Sequence, residues 1–275
     1  MSSKLEGKVA IVSGSGRGIG REIALKLAAD GAALVINDLD AAVAESVTQE
    51  IVAAGGRATT CVGNVTAPEF AARFVDTALS TFGRLDIIVN NAGYTWDNVI
   101  QKMSDEQWDA IMDVHVTAPF RILRAASEYF RRAAKEEAEQ GHEVFRKVVN
   151  ISSVSGVMGN AGQANYSAAK SAINGLTKAL AKEWGRYKIN VNSVAFGLIK
   201  TRLTEAATGD DATINISGQE IKVGVNQQLM KNLETMIPMG RAGTPAEAAG
   251  AVYLFCIPES NYISGQIVIC GGGRP

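Results

Sequence analysis

The chain has 275 residues, 47% of them hydrophobic, with 27 Lys and Arg against 28 Asp and Glu for a formal charge of -1. That apolar share excludes a disordered chain, and the even charge balance excludes the clustered basic excess of a nucleic-acid binder. The length exceeds an average domain, but α/β sheets often run this long as one unit with a core large enough for a pocket.

The chain opens Met-Ser-Ser-Lys-Leu-Glu-Gly-Lys and enters an apolar strand, so a signal peptide is not expected. The longest apolar run, residues 248–257, is far short of the ~20 residues of a membrane helix, so no membrane partner is expected. Cys61, Cys256 and Cys270 are too few for a disulfide framework. His115 and His142 lack ligand-like spacing, so no metal is expected and the cytoplasm is the expected address.

In chain order, the first strand candidate, 9–13, runs into Ser13-Gly-Ser-Gly-Arg-Gly-Ile-Gly20 and a helix over 18–29. The pattern is Gly14-x-x-x-Gly18-x-Gly20, with Arg17 and Ile19 inside it. Such a turn lets backbone approach a pyrophosphate at a helix N-terminus, although alone it could be only a turn. The second strand, 34–37, ends at Asp38 before a helix over 41–54. A carboxylate there can accept both adenosine ribose hydroxyls and repel a 2′-phosphate, or it can cap the helix. Arg17 pulls the other way, toward a 2′-phosphate. NAD is the expected cofactor, with NADP possible.

A strand over 59–62, a helix over 68–82 and a strand over 87–90 lead to Asn90-Asn-Ala-Gly93, small residues and amides suited to packing beside a ring. A long helical pattern covers 105–140, and the charged stretch 131–147 reads as a helix end prolonged into solvent. The strand over 148–152 ends in Asn150-Ile-Ser-Ser153, and the helix over 164–185 begins with Tyr166-Ser-Ala-Ala-Lys170. Positions i and i+4 share a helix face, so phenol and ammonium can meet. A nearby cation lowers a tyrosine pKa, and Tyr166 could then trade a proton with a substrate oxygen that Ser153 also binds. A strand over 189–194 follows. The segment 201–235 lacks a helical stripe but holds an alternating stretch with Ser217-Gly218 at its middle, as in a small hairpin. It is the candidate substrate cover. A helix over 245–256 and a strand over 266–269 close the chain. Alternating apolar strands and helices predict a doubly wound parallel α/β sheet in a single domain spanning 1–275.

Taken together, Gly14-x-x-x-Gly18-Ile-Gly20, Asn90-Asn-Ala-Gly93, Ser153, Tyr166-x-x-x-Lys170 and Tyr262-Ile-Ser-Gly-Gln266 before Gly271 resemble the short-chain dehydrogenase/reductase family over nearly the whole chain. The resemblance implies a single Rossmann-like domain of seven parallel strands, hydride transfer with NAD(H) or NADP(H), and a homotetramer or homodimer. It also implies that Asn64 and Val65 lie by the adenine and that Asn91, Ala92 and Gly93 line the cofactor. Lys170 would bind the nicotinamide ribose, and Gly197, Ile199 and Thr201 would follow the carboxamide and pyrophosphate. Substrate walls are expected at Tyr94, Ser155, Gln163 and Phe196.

Four positions depart from the family pattern. His115 stands where the family has a catalytic Asn and could act through its carbonyl or its imidazole. Phe196-Gly197 replaces Pro-Gly, Asn64 replaces an Asp, and Cys270 replaces a frequent Asp. The expected function is hydride transfer between NAD(P) and a secondary alcohol or ketone, with Ser153, Tyr166, Lys170 and His115 in the catalytic set. The rivals are an NADPH-dependent 3-oxoacyl carrier-protein reductase acting on an acyl thioester, and a nucleotide-binding regulator without catalysis.

Overall fold

A computed structural model describes residues 3–201, 213–216, 219–222 and 232–274. Its strands are β1 (Val9–Val12), β2 (Ala33–Ile36), β3 (Arg57–Thr60), β4 (Ile87–Asn90), β5 (Arg146–Ser153), β6 (Ile189–Phe196), β7 (Thr213–Ile216), β8 (Gln219–Lys222) and β9 (Ile267–Cys270). Seven of them form one parallel sheet in the order β3-β2-β1-β4-β5-β6-β9. The order reverses between β1 and β4, so their carboxyl ends open the crevice where doubly wound folds take ligands.

The helices are α1 (Gly18–Ala29), α2 (Ala41–Ala53), α3 (Phe70–Phe82), α4 (Asp105–Met112), α5 (Ala118–Glu139), α6 (Ser155–Met158), α7 (Ala164–Trp184) and α8 (Pro245–Tyr253). Alternate strand residues face opposite layers, as the two-residue period requires. Ala10, Val12, Leu34 and Ile36 join Ile23 and Leu27 of α1, Ile51 of α2 and Val252 of α8. Val9, Ile11, Ala33 and Val35 join Phe70 and Phe74 of α3, Phe130 of α5 and Trp184 of α7. With both faces covered, the strands are apolar throughout, which is why they were legible as short unbroken runs.

Helix starts follow local chemistry. Ser104 with Gln107, and Thr244 with Glu247, form reciprocal capping boxes at α4 and α8, and Pro245 occupies the first turn of α8, where its missing N–H costs nothing. The expected hairpin forms: β7 and β8 pair antiparallel, Ile216 opposite Gln219. The rest of the expected cover, residues 202–212, 217–218 and 223–231, lies outside the described residues.

Two expectations need correction. The helical pattern over 105–140 is interrupted by a π-helical turn, Asp113–Thr117, between α4 and α5. The charged stretch 131–147 does not simply run into solvent. α5 ends at Glu139, and Arg146 and Lys147 begin β5 fully buried. Arg146 makes a bidentate pair with Glu137 at 2.8 and 2.7 Å, and Lys147 Nζ donates to Asn190 and Ser260. Paired charges can sit inside where unpaired ones cannot, although Arg146 Nε has no partner of its own.

Candidate active site

The glycine turn joins β1 to α1 at the crevice. Gly14 and Gly18 have φ of +62° and +52°, in the left-handed region that favours glycine. At Gly20 a Cβ would fall 2.1 Å from the Gly14 carbonyl oxygen, while at Gly18 nothing lies within 4 Å of one. The turn is packed behind and open in front. No side chain caps α1, and no acid sits in its first turn, so its leading amides suit an anion. These are properties a dinucleotide pyrophosphate requires.

Neighbouring polar side chains hold the turn. Asn37, which sequence reasoning missed, accepts from Gly14 N at 3.0 Å and donates to the carbonyls of Cys61 and Gly63. Asn91 donates to the carbonyls of Ser13 and Gly14, both at 3.0 Å, so its amide clamps the turn. Ser13 Oγ receives the N–H groups of Asn91 and Ala92. Asp38 lies beside Gly16, where a Cβ would come within 2.4 Å of its Oδ2. The α2 cap is Asp40, whose side chain accepts from Ala42 N, so Asp38 is not the capping residue. Arg17 pairs with Asp40 at 2.9 Å.

Asn64 Oδ1 accepts from the Thr66 N–H and hydroxyl, at 3.0 and 2.9 Å. Val65 and Ile199 are 7% and 5% exposed and belong to the core. Gly197 N donates to the Cys270 carbonyl and Lys200 N to Gly243, which fixes the segment leading to Thr201. Phe196 is 6% exposed, shares a layer with Val194 two residues back on β6, and stands opposite Ser153 of β5. A cavity of about 510 Å³ lies behind the segment after β6, among Ile199, Ile237, Met239 and Cys270, but Ser153, Tyr166 and Lys170 do not border it.

Ser153, Tyr166, Lys170 and His115 converge. Asn165, completely buried, donates to the Trp96 and Gln107 carbonyls and accepts from Tyr166 N, fixing the start of α7. Asn90 donates to Asn150, which donates to Thr177, tying β4 and β5 to the same helix. A Cβ on Gly156 would meet the Lys170 backbone at 2.5 Å, so α6 can lie this close to α7 only with glycine there. Lys170 Nζ donates to the Ile151 carbonyl at 2.7 Å and lies 5.5 Å from the centre of the Tyr166 ring. The His115 ring stands edge-on to the Tyr166 ring, centroids 5.1 Å apart. Its Nε2 donates to the Tyr94 carbonyl at 2.7 Å, and its buried Nδ1 has no partner. Pro119 has no N–H, so the His115 carbonyl receives none from the residue four positions ahead.

Burial dominates the local electrostatics. It pushes Tyr166 up to about 12, against a hydrogen bond with Ser153 that pulls down, with Asp97 adding a smaller upward push. Burial also lowers Lys170 to about 7. His115 is held well below its ordinary value by burial first and by Lys170 second, so its imidazole is neutral near pH 7. At Tyr166 burial thus outweighs the Ser153 hydrogen bond. Each charge alone is penalised by burial, and only a tyrosinate–ammonium pair relieves both penalties.

Beside them, Ser155 N donates to Ser153 Oγ at 3.1 Å, leaving the Ser153 proton for another acceptor. Ser155 Oγ donates to Gln163 Oε1, and Gln163 Nε2 donates to Asp97 at 2.7 Å. Asp97 was missed, because a lone acid in a loop has no distinguishing spacing. Tyr94, half-buried, joins the site through its carbonyl. Among the described residues, no cluster of three His, Cys, Asp or Glu could hold a metal ion, and no helix is long and apolar enough to cross a membrane.

The family model for short chain dehydrogenase matches residues 8–212. The chain belongs to the short-chain dehydrogenase family. It is similar to a 3-oxoacyl-[acyl-carrier-protein] reductase of Synechocystis sp., 36% identical over 271 residues that cover 98% of this chain and 97% of that protein. The 3-oxoacyl-[acyl-carrier-protein] reductase FabG of Vibrio cholerae is 37% identical, with 98% of each chain covered. The short-chain reductase protein NovJ of Streptomyces niveus is 36% identical, covering 97% of this chain and 94% of NovJ. As a short-chain dehydrogenase the chain is an NAD(P)-dependent oxidoreductase acting on CH–OH groups or the corresponding ketones.

Proposed function

We propose that the chain moves a hydride between NAD and a secondary alcohol or ketone, with Tyr166 as general acid and base. The carrying observation is the convergence of Tyr166, Lys170 and Ser153 at the carboxyl end of the sheet, on the same edge as the glycine turn. When bound, NAD supplies the hydride acceptor in oxidation and, reduced, the donor in reduction. Gly14, Gly18, Ile19 and Gly20 would receive the pyrophosphate with backbone amides, Asp38 the adenosine ribose, and Asn64 and Val65 the adenine. Asn91, Ala92 and Gly93 would pack along the dinucleotide. Lys170 would hold the nicotinamide ribose, and the backbones of Gly197, Ile199 and Thr201 its carboxamide side.

In oxidation Tyr166 takes the proton of the substrate hydroxyl, and in reduction it returns one to the carbonyl oxygen. Ser153 donates to that oxygen as charge develops. Bringing Tyr166 from about 12 into the neutral range requires on the order of 7 kcal/mol. Pairing with the Lys170 ammonium supports that shift. The His115 carbonyl, without an N–H from residue 119, can hold a water on the path to Lys170, while the neutral imidazole positions Tyr94 and the Tyr166 ring. Tyr94, Ser155 and Gln163 line the substrate side. Tyr166→Phe should lower turnover by about 10²–10⁴-fold while NAD binding, followed by fluorescence titration, persists. Full activity in that variant would refute the role.

A second reading, a 3-oxoacyl carrier-protein reductase using NADPH and an acyl thioester, is favoured by the names of the similar proteins. Asp38 disfavours it. Rates with NADH and NADPH at equal concentration, on ketones and on an acyl thioester, separate the two: the first reading expects a preference for NADH. A homotetramer or homodimer is supported by β9, an edge strand whose Val268 and Ile269 are 42% and 38% exposed. Light scattering checks it. Three free cysteines suit the reducing cytoplasm.

A further inference from the structure

Arg17 is the cation of the glycine turn and the natural partner for a phosphate on the adenosine ribose. Its guanidinium is engaged elsewhere, 2.9 Å from Asp40 Oδ2. Asp40 is itself held in place: its Oδ1 accepts from Ala42 N at 3.0 Å, and its own N–H donates to Asp38 Oδ1 at 3.1 Å. The two side chains are 43% and 50% exposed, so the pair is weak in isolation. Asp40 is nevertheless already ordered as the cap of α2, and holding it in register for Arg17 costs little extra side-chain freedom.

We propose that Asp40 is a second determinant of coenzyme choice, keeping Arg17 on the α2 side so that no unengaged guanidinium faces a 2′-phosphate. This deepens the NAD reading and rests on it. Asp38 repels the phosphate directly, and Asp40 withholds the group that would otherwise neutralise it. Removing Asp38 alone therefore leaves the chain a poor binder of 2′-phosphorylated ligands, and the two acids act non-additively.

The probe is adenosine 2′,5′-bisphosphate, titrated calorimetrically into the full chain alongside NAD. Asp40→Ser retains a capping oxygen, which preserves α2. In an Asp38→Asn background it should tighten bisphosphate binding by about fivefold or more, the gain expected when a guanidinium is freed for a charged hydrogen bond. Adding Arg17→Ala should abolish that gain. No gain from Asp40→Ser, or a gain that survives Arg17→Ala, overturns the proposal while leaving the NAD reading intact if the wild type still prefers NAD over NADP. A wild type that prefers NADP overturns both.

Discussion

His115 owes its place to the missing side chain at position 93. A Cβ on Gly93 would fall 2.1 Å from His115 Cε1, which no shift of a few tenths of an ångström can absorb. Gly93→Ala should cost about 1–3 kcal/mol by urea denaturation and reduce turnover as the imidazole moves off the Tyr166 ring. His115→Ala in that background should recover part of the stability and none of the turnover. Among single residues, Ser153, Tyr166 and Lys170 were legible because their spacing carries chemistry. Asn37, Asp97 and Asn165 were not, since each acts through partners far along the chain.

At the scale of elements, α5 and β5 are stapled by the Glu137–Arg146 pair, with Arg146 1% exposed. Glu137→Gln strands a guanidinium in the interior and should cost roughly 3–5 kcal/mol in a denaturant titration. Glu137→Gln with Arg146→Met should regain most of that. Charge is read as solvent exposure unless its partner is known, which is why the start of β5 was hidden while its apolar remainder was plain. The π-helical turn was hidden for another reason: an apolar pattern continues across a one-residue widening, and only Pro119 marks the place. Strand ends moved by a residue or two, most at β3, an edge strand without a fully buried face.

For the molecule as a whole, Lys147 makes stability depend on pH. Burial lowers it to about 8, with Lys8 pushing the same way and Cys256 opposing. Between about 8 and its unfolded value near 10.5 the unfolded chain binds more protons, so stability rises with pH across that window. Below it the full penalty, roughly 3 kcal/mol, applies. Urea midpoints measured from pH 7.5 to 10 should climb more steeply in the wild type than in Lys147→Met, and parallel curves would contradict the assignment. The doubly wound parallel sheet was legible from alternation, because every crossover carries a helix, but the order of its strands was not.

The lacing of the glycine turn by Asn37, Asn91 and Ser13 has a kinetic consequence. Ordering backbone costs about 1–2 kcal/mol per residue, and here that cost is met when the protein folds, not when a dinucleotide arrives. On the proposed placement of the dinucleotide, capture at this turn is docking against a rigid template, with an arrival rate governed by diffusion and orientation and a residence time governed by the contacts made.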